Sequence, residues 1–310
     1  PWGTPQSSGS FSTLFKSRLQ RAHEYKLRPV DLIKHGAEVE QVVGVGAPLA
    51  ATICESWEEF SHTEGQSVYL TTKNSADTDL PDESVDLVVT DPPYMDNVHY
   101  AELADFFHAW LQGMRPYASY EMRPTTRASG EVQNADPDEF GRAIEAVWKE
   151  CARVLKPGGL MAFTFHQARI SGWIQIVESL KRAGFVITAV QPVKGEMSTS
   201  IVKSGSREPS NLDSVVVCRR LADGAMNPHR SLEAARLTAY RKLMRLRQDG
   251  IEVGVGDIRS VVRGTLLANL SASGCEIDED VAAMVDNLAA QTIEVIESQE
   301  MPRSVEDTLF

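Results

Sequence analysis

The amino-acid sequence predicts an α/β fold with a mostly parallel, doubly wound sheet and helical flanks. Between residues 67 and 220, short apolar runs alternate with segments of helical periodicity, the pattern that builds parallel sheets. Residues 85–90 form a Val-rich run that stops abruptly at two prolines, as a buried strand does at its end. After residue 221 the patterns are helical. We therefore expect an N-terminal helical or irregular segment at 1–66, a central α/β portion at 67–220 and a C-terminal helical region at 221–310.

The N-terminal half of this pattern predicts the following elements. Residues 1–15 are rich in Gly, Ser, Thr and Pro and are expected to be loose, and residues 16–34 to form a basic helix that breaks before Pro29. Strands are expected at 68–71 and 85–90. The helix after the second strand has apolar residues at i, i+3, i+4, i+7 and i+8, a single wide stripe. The stripe consists of Leu103, Phe106, Phe107, Trp110 and Leu111.

The next helix has clear start signals. Asp136 can cap it, Pro137 suits its first turn, and Glu139 follows three residues after the cap. The turn at 156–159 ends it. We then expect strands at 160–165, 185–190 and 214–218, and helices at 173–180, 231–248, 257–270 and 279–298. No helix separates the last two strands, so they can form an antiparallel pair.

Composition narrows the function classes. The chain of 310 residues has 31 Lys and Arg against 43 Asp and Glu, a net charge of −12. This excludes a uniformly basic protein that coats nucleic acid, but not local basic patches. No apolar run reaches the roughly 18 residues of a membrane helix. The four cysteines are scattered without a C-x-x-C pair, which favours a reducing, cytoplasmic setting over a zinc knuckle. Because the sequence starts without Met, we expect a piece of a longer chain.

The residues that carry chemistry are Asp91-Pro92-Pro93-Tyr94, directly after the strand at 85–90. In open α/β sheets, ligands bind at the carboxyl ends of strands. The prolines stop the strand and present carbonyl oxygens without a competing N–H. The group therefore combines a carboxylate, carbonyl acceptors and an aromatic ring. The alternative interpretation is a turn that ends a strand, since Asp-Pro commonly opens turns.

This set of groups suits a planar exocyclic amine. The nitrogen lone pair of such an amine is delocalised into its ring, which makes the nitrogen a poor nucleophile. Asp91 and the Pro92 carbonyl can each accept one amine hydrogen, which favours tetrahedral nitrogen and frees the lone pair. Tyr94 can stack on the ring, a contact worth about 1–3 kcal/mol. A methyl group held in line on a sulfonium would then transfer largely through positioning.

The sequence here resembles a known family. Residues 85–94 and the turn Leu155-Lys156-Pro157-Gly158-Gly159-Leu160 resemble motifs of S-adenosylmethionine-dependent methyltransferases that act on amino groups of nucleobases. More narrowly, T-D-P-P-Y-M-D-N-V-H-Y-A at 90–101 and D-F-F-H-A-W-L at 105–111 resemble the large adenine-specific DNA methylases with a zinc ribbon. The resemblance implies a DNA adenine-N6 methyltransferase of a restriction-modification system, with S-adenosylmethionine as cofactor and DNA as partner.

The resemblance also implies a class I methyltransferase, Rossmann-like fold, with departures. Met95 stands where the family has a second aromatic residue. The glycine-rich loop D-P-F-x-G-x-G and the cysteines of the zinc ribbon are absent, and the sequences at 44–46 and 254–256 are weak G-x-G substitutes. The first two strands of the fold are missing from the predicted elements. We therefore expect an incomplete sheet whose cofactor contacts are shared with residues upstream of Pro1.

Residue by residue, the resemblance makes Asp91, Pro92, Pro93 and Tyr94 catalytic. Asn74 lies where related enzymes place a residue near the cofactor adenine, which Asp91 would also contact; a turn residue is the alternative for Asn74. Asp96 and Asn97 are candidates for the base pocket or, alternatively, for a helix cap.

Phosphate contacts would come from local Lys and Arg, since phosphates dominate DNA affinity and a target base must flip out of the duplex. We favour two loops over the basic helix at 236–247, and a solvated face is the alternative for each. The loop residues are Arg115, Arg123 and Arg127, and Lys194, Lys203 and Arg207.

The histidines do not indicate a metal site. His99 and His108 lie nine residues apart without simple ligand spacing, and His166 is expected to be a core or hydrogen-bonding residue, so no metal site is predicted. Two other functions stay open: a methyltransferase for RNA or for cytosine N4, and a non-catalytic nucleic-acid-binding subunit of a modification or defence complex.

Overall fold

The computed structural model describes residues 11–35, 38–44, 51–71, 73–95, 100–115, 122–167, 169–195, 212–224 and 231–298. The chain divides into two compact units between residues 71 and 72. No helix among the described residues is long and apolar enough to cross a membrane. The predicted division at 66/67 and 220/221 stays a prediction.

The first unit combines short helices with two small sheets. Helix α1 (Phe11–Leu14), a π-helical turn (Phe15–Gln20) and α2 (Arg21–Leu27) are continuous, and β1 (Val30–His35) pairs antiparallel with β2 (Glu38–Val43). β3 (Thr52–Cys54) pairs in parallel with β4 (Ser67–Tyr69) around α3 (Trp57–His62). The predicted break before Pro29 is confirmed, since α2 ends at Leu27, but the helix starts at Phe11 rather than 16, and residues 30–35, which were included in the helical segment, form a strand.

The second unit has a mixed four-stranded sheet. Its strands are β5 (Val85–Thr90), β6 (Leu155–Phe165), β7 (Phe185–Lys194) and β8 (Leu212–Arg220), in the order β5-β6-β8-β7. β5 and β6 are parallel, while β8 runs antiparallel to both of its neighbours. The antiparallel pairing of the last two strands is confirmed. The unit is thus an α/β fold with helical flanks, and no described strand pairs with the outer edge of β5.

Residues 156–159, predicted as a turn before a strand at 160–165, form an irregular stretch within β6 that joins helix α5 (Pro137–Val154) to the sheet. Helix α5 starts at Asp136, whose carboxylate accepts hydrogen bonds from the backbone of Asp138 and Glu139, as predicted. At the other end Gly158 has a positive φ of 76°, which glycine adopts at little cost. A Cβ built on Gly159 would lie 3.0 Å from the Asp86 carbonyl of β5. The two glycines therefore let the chain turn and approach β5 closely.

The core lies on one face of this sheet. Trp148 of α5 contacts Phe163 of β6, with ring centroids 4.9 Å apart. Trp173 of α6 (Ile170–Arg182) meets Phe165 edge-on at 4.9 Å. All four rings are fully buried or nearly so. The expectation that the strand at 85–90 is buried was wrong, since Leu87 and Val89, on the opposite face of β5, are 52% and 73% exposed.

Three C-terminal helices complete the unit: α7 (Leu232–Gln248), α8 (Val255–Ala272) and α9 (Glu279–Ser298). Helix α8 is buried along most of its length and packs against β7, α6, α7 and α9. Gly254 caps α8, and the fully buried Asp257 accepts hydrogen bonds from the backbone N–H groups of Gly254 and Leu212. The G-x-G at 254–256 therefore starts a core helix.

Helix α4 (Tyr100–Met114) differs from the others. Its predicted stripe exists, but Leu103, Phe106, Phe107 and Trp110 are at least half exposed. The period thus predicts the helix and its apolar side but not whether another described element covers it.

Candidate active site

Asp91 to Tyr94 directly follow β5, at the carboxyl end of the strand. Thr90, the last strand residue, pairs with Phe163 of β6. Asp91 is exposed, Pro92 is buried and Tyr94 is half-buried. No described residue donates a hydrogen bond to the Pro92 carbonyl. The chain therefore leaves the sheet with one accessible carboxylate and one unused acceptor, as the two prolines predict.

Asp91 is held by one of its two carboxylate oxygens. Oδ1 accepts hydrogen bonds from the Thr164 hydroxyl of β6 and, at 3.1 Å, from the Tyr94 hydroxyl. Oδ2 accepts none from the described residues. The orientation of the carboxylate is thus fixed while one oxygen stays available. Thr164 was missed by sequence reasoning; the only signal was a hydroxyl residue between two core phenylalanines near the end of the adjacent strand.

Tyr94 is fixed as well. Its ring meets Phe165 edge-on, with centroids 5.6 Å apart, and Phe165 in turn contacts Trp173. Burial raises the pKa of Tyr94 well above its ordinary value, with smaller contributions from the nearby carboxylates of Asp213 and Asp91. The hydroxyl is therefore a permanent donor to Asp91 across the physiological pH range.

A cavity of about 420 Å³ opens beside this group. Asp91 and Pro93 form one wall, and the first turns of α4 form another through Tyr100, Ala101 and Ala104. Thr126 and the segment 131–133 close it. Small-molecule pockets of about 300–1,000 Å³ are typical, so the space is large enough for one nucleobase.

The loop after α4 is tied to that helix by polar contacts. Asp105 accepts hydrogen bonds from the hydroxyls of Thr125 and Thr126, both at 2.7 Å, and from the Thr126 backbone N–H. These bonds, the one from the Thr126 N–H first, lower the pKa of Asp105 to about 2. His108 Nε2 and Gln112 Nε2 lie 2.8 Å and 2.7 Å from the Arg123 carbonyl. The loop residue Thr126, which lines the cavity, is thus held by Asp105.

The structure brings some of the predicted phosphate ligands near this cavity. Arg127 forms an ion pair with Glu102 of α4, and its side chain remains 63% exposed. Arg123 lies on the same loop, which we call the clamped loop because Asp105 and His108 hold it to α4. Arg115 is exposed at the end of α4. Lys194 is exposed at the end of β7. Asp96, Asn97, Lys203 and Arg207 lie outside the described residues.

Asn74 forms a turn within reach of the loop that ends at the cavity. Its side-chain Oδ1 accepts a hydrogen bond from the Ala76 N–H at 3.0 Å, and its Nδ2 lies 3.9 Å from where a Cβ on Gly130 would be. Gly130 directly precedes the cavity-lining segment. Both interpretations, a turn residue and a residue beside the site, are compatible with this placement.

Several cations of the basic helix at 236–247 form hydrogen bonds or ion pairs with other groups of the protein. Arg236 pairs with Glu233, Lys242 donates to the Val190 carbonyl, and Arg247 donates to the Ile296 and Val253 carbonyls. These contacts occupy cations that sequence reasoning left open for DNA. Within the described ranges, no group of three His, Cys, Asp or Glu side chains could hold a metal ion.

Comparison with known proteins gives a family for the central segment. The family model N6_N4_Mtase, described as DNA methylase, matches residues 85–209. The segment starts with β5 and contains Asp91 to Tyr94. Over it the chain is similar to DNA methylases, which confirms the broader resemblance to methyltransferases that act on amino groups of nucleobases; the narrower one, to the large adenine-specific methylases, stays a prediction.

Solved structures give weaker likenesses. One is a Thermus thermophilus protein named "Putative DNA Modification Methylase" and complexed with S-adenosyl-L-methionine, at 17% identity, with a TM-score of 0.27, over 69% of this chain and 90% of that chain. Another is the PvuII DNA methyltransferase, cytosine-N4-specific, at 12% identity, with a TM-score of 0.29, over 70% and 88%. TM-scores this low carry no weight for the fold or chemistry of this chain. No curated protein matches it.

Proposed function

We propose that the protein is an S-adenosylmethionine-dependent DNA methyltransferase that acts on the exocyclic amine of a flipped base, N6 of adenine. One observation carries this proposal. In the segment that matches DNA methylases, Asp91 is anchored through Oδ1 and leaves Oδ2 free beside a cavity large enough for a base.

The geometry of the site supports the following roles for its residues. Oδ2 of Asp91 and the Pro92 carbonyl accept the two amine hydrogens, which makes the nitrogen lone pair available. When bound, S-adenosylmethionine supplies a methyl group activated by its sulfonium. The chain's own groups would orient the amine nitrogen toward that methyl group, and Asp91 would lie beside the path by which the methylated amine loses one proton to solvent.

Tyr94 and Thr164 position the reacting groups. The Thr164 and Tyr94 hydroxyls share Oδ1 and prevent the carboxylate from rotating. The Tyr94 ring, anchored at its hydroxyl and against Phe165, offers a fixed surface on which the base can stack. Asp96 and Asn97, which follow directly in sequence, are proposed base-pocket residues.

The fit of the cofactor to the described residues is partial. Asn74 and Asp91 are the residues we assign to it: Asp91 lines the cavity, and Asn74 lies near Gly130, which precedes the cavity-lining segment. The sequence has no D-P-F-x-G-x-G loop, and the G-x-G at 254–256 starts a core helix. We therefore assign no residue to the methionine end of the cofactor.

DNA contacts are assigned to the two loops. Arg115, Arg123 and Arg127 lie on or next to the clamped loop, and Lys194, Lys203 and Arg207 on the segment between β7 and β8. Since β5, β6 and β7 run in the same direction, Lys194 ends at the same edge of the sheet as Asp91. A cytoplasmic location fits the four cysteines, all described and all free thiols. Other subunits of a modification or defence system are candidate partners.

The test is methyl transfer from labelled S-adenosylmethionine to unmethylated genomic DNA, followed by nucleoside analysis. We expect N6-methyladenine, and we expect Asp91→Ala to lower the rate at least a thousandfold while DNA affinity changes little. Product found as N4-methylcytosine, or on RNA, would select the alternative substrates. Unchanged transfer by Asp91→Ala would reject the mechanism, and DNA binding without transfer by the wild type would favour a non-catalytic subunit.

A further inference from the structure

A second cavity, remote in sequence from the catalytic motif, opens between β7 and the helices α7 and α8. Its volume is about 500 Å³. Thr265, Ala268 and Asn269 of α8 are almost fully buried and form its floor, while Ser231 and Thr238 are exposed at its mouth. The size is that of an ordinary small-molecule pocket.

Lys242 lines this cavity and has no carboxylate partner among the described residues. The side chain is half-buried and lines the cavity, and its Nζ donates a hydrogen bond to the Val190 carbonyl on the edge of β7. No carboxylate of the described residues forms an ion pair with it. Burial lowers the pKa of Lys242, since the charge is partly removed from water. An anion beside the ammonium group would replace the stabilisation that the charge loses when it is partly removed from water.

Asn269 supplies an independent observation. The residue is only 7% exposed and lines the cavity, yet its side-chain amide makes no hydrogen bond to any described residue. Buried amides are nearly always hydrogen-bonded, and an unused one in a cavity indicates a partner that enters the cavity. The side-chain amide of Asn269 also remains accessible from the cavity. Its atoms are not among the fully buried polar atoms that have no hydrogen-bond partner.

Ser231 adds a third donor at the mouth. Its hydroxyl oxygen accepts the hydrogen bond of the Ala234 N–H and caps α7, so the hydroxyl hydrogen remains free to donate. The N-terminus of α7 also favours negative charge near Ser231. The threonine hydroxyls are already used: Thr188, Thr238 and Thr265 each donate to a backbone carbonyl.

We propose that this cavity binds a phosphate group, either as the free ion or as the phosphate of a molecule of nucleotide size. Lys242, Asn269 and Ser231 supply donors for the phosphate oxygens, and the methyl groups of Ala189, Ala235 and Ala268 supply apolar walls for the remainder. Three kinds of donor suit the several oxygens of phosphate better than the two of a carboxylate. The site is independent of the proposed methyl transfer.

The test follows the side-chain amide of Asn269 by NMR in the full chain while inorganic phosphate, adenosine 5′-monophosphate and adenosine are added separately. Asn269→Asp identifies the signal, since that variant lacks the amide and keeps the shape. We expect saturable shifts with phosphate or the monophosphate, and none with adenosine. Shifts with phosphate alone would identify the free ion as ligand, and shifts with the monophosphate alone a phosphate ester.

The variant Lys242→Gln distinguishes phosphate binding from a purely structural role, in which Lys242 only donates a hydrogen bond to the Val190 carbonyl at the edge of β7. Glutamine retains a donor for the Val190 carbonyl but removes the charge, so the fold is kept. We expect about tenfold or greater loss of phosphate affinity, as for a charge-assisted hydrogen bond. Lys149→Gln, an exposed lysine paired with Glu145, is the matched control and should leave affinity unchanged. Unchanged affinity in Lys242→Gln, equal binding of adenosine, or no Asn269 shift below about 10 mM ligand would overturn the proposal.

Discussion

Two helices of the second unit carry apolar stripes of the same period, and only one stripe is buried. On α5, Phe140, Ile144 and Trp148 are at most 1% exposed. On α4, Phe106 and Trp110 are 50% and 64% exposed. Helix α5 is held by packing against α6 and β6, whereas α4 is held to its loop by Asp105 and His108. The comparison teaches that periodicity predicts an apolar side, while burial depends on a partner element elsewhere in the chain.

The largest expected difference between the two helices is in stability. Trp148→Ala should lower the free energy of unfolding by about 3–5 kcal/mol, the range for deleting a buried aromatic side chain. Its indole N–H has no hydrogen-bond partner among the described residues, so the loss is one of packing. Trp110→Ala should change stability by less than about 0.5 kcal/mol. Urea unfolding followed by circular dichroism measures both, and a large cost at Trp110 would mean that α4 is covered in solution.

Replacing a glycine by alanine on the exposed helix α4 and on the buried helix α8 should change stability in opposite directions. A Cβ on Gly264 of α8 would lie 2.6 Å from the fully buried Trp173 ring, so Gly264→Ala should cost about 1–3 kcal/mol. A Cβ on Gly113 of α4 would meet nothing, and Gly113→Ala should instead stabilise the protein by about 0.5 kcal/mol through helix propensity. Thermal unfolding of the two variants compares them directly. A destabilising Gly113→Ala would contradict the open surroundings of α4.

What could be predicted from sequence was local. The strand at 85–90, the cap at Asp136 and the antiparallel last strands depend on neighbours in the chain or on the absence of a helix between them. The position of Asp91 at a strand end followed from two prolines. Thr164 could not be predicted, because its contact with Asp91 depends on the register of β5 and β6 across more than seventy residues.

The hydrogen bonds by which Asp105 holds the loop of Arg123 and Arg127 to α4 were not predicted, for a related reason. Asp105 and Thr126 are 21 residues apart, and nothing in the spacing identifies Thr125 and Thr126 as partners of a carboxylate. The basic helix at 236–247, which sequence reasoning ranked below the two loops as a DNA contact, illustrates the same limit, since Lys242 and Arg247 donate to backbone carbonyls. Charge on a helix therefore predicts its function only after its packing is known.

The smallest effect on global stability is expected at Asp105, where α4 depends on polar contacts. Asp105→Ala removes the acceptor of the Thr125 and Thr126 donors, so the loop should open more often. We expect tryptic cleavage after Arg127 to accelerate about tenfold, as for the loss of one or two net hydrogen bonds, with little change in the unfolding midpoint. Asp105→Asn, which keeps one acceptor, should have an intermediate rate. Cleavage at the wild-type rate in both variants would show that the loop is held by other contacts.

The same clamp has a defined pH dependence. The pKa of Asp105 is lowered to about 2 in the folded protein from an ordinary 3.8, so the carboxylate stabilises the closed loop fully above about pH 4. This contribution is lost as the pH falls from about 4 through 2, because protonation removes the acceptor charge. The amide proton shift of Thr126 should therefore titrate with a midpoint near 2, and the transition should be absent in Asp105→Ala. A midpoint at the ordinary aspartate value would mean that the three hydrogen bonds do not persist in solution, and the loop would then be tied to α4 only through its other contacts, such as those of His108 and Gln112 with the Arg123 carbonyl.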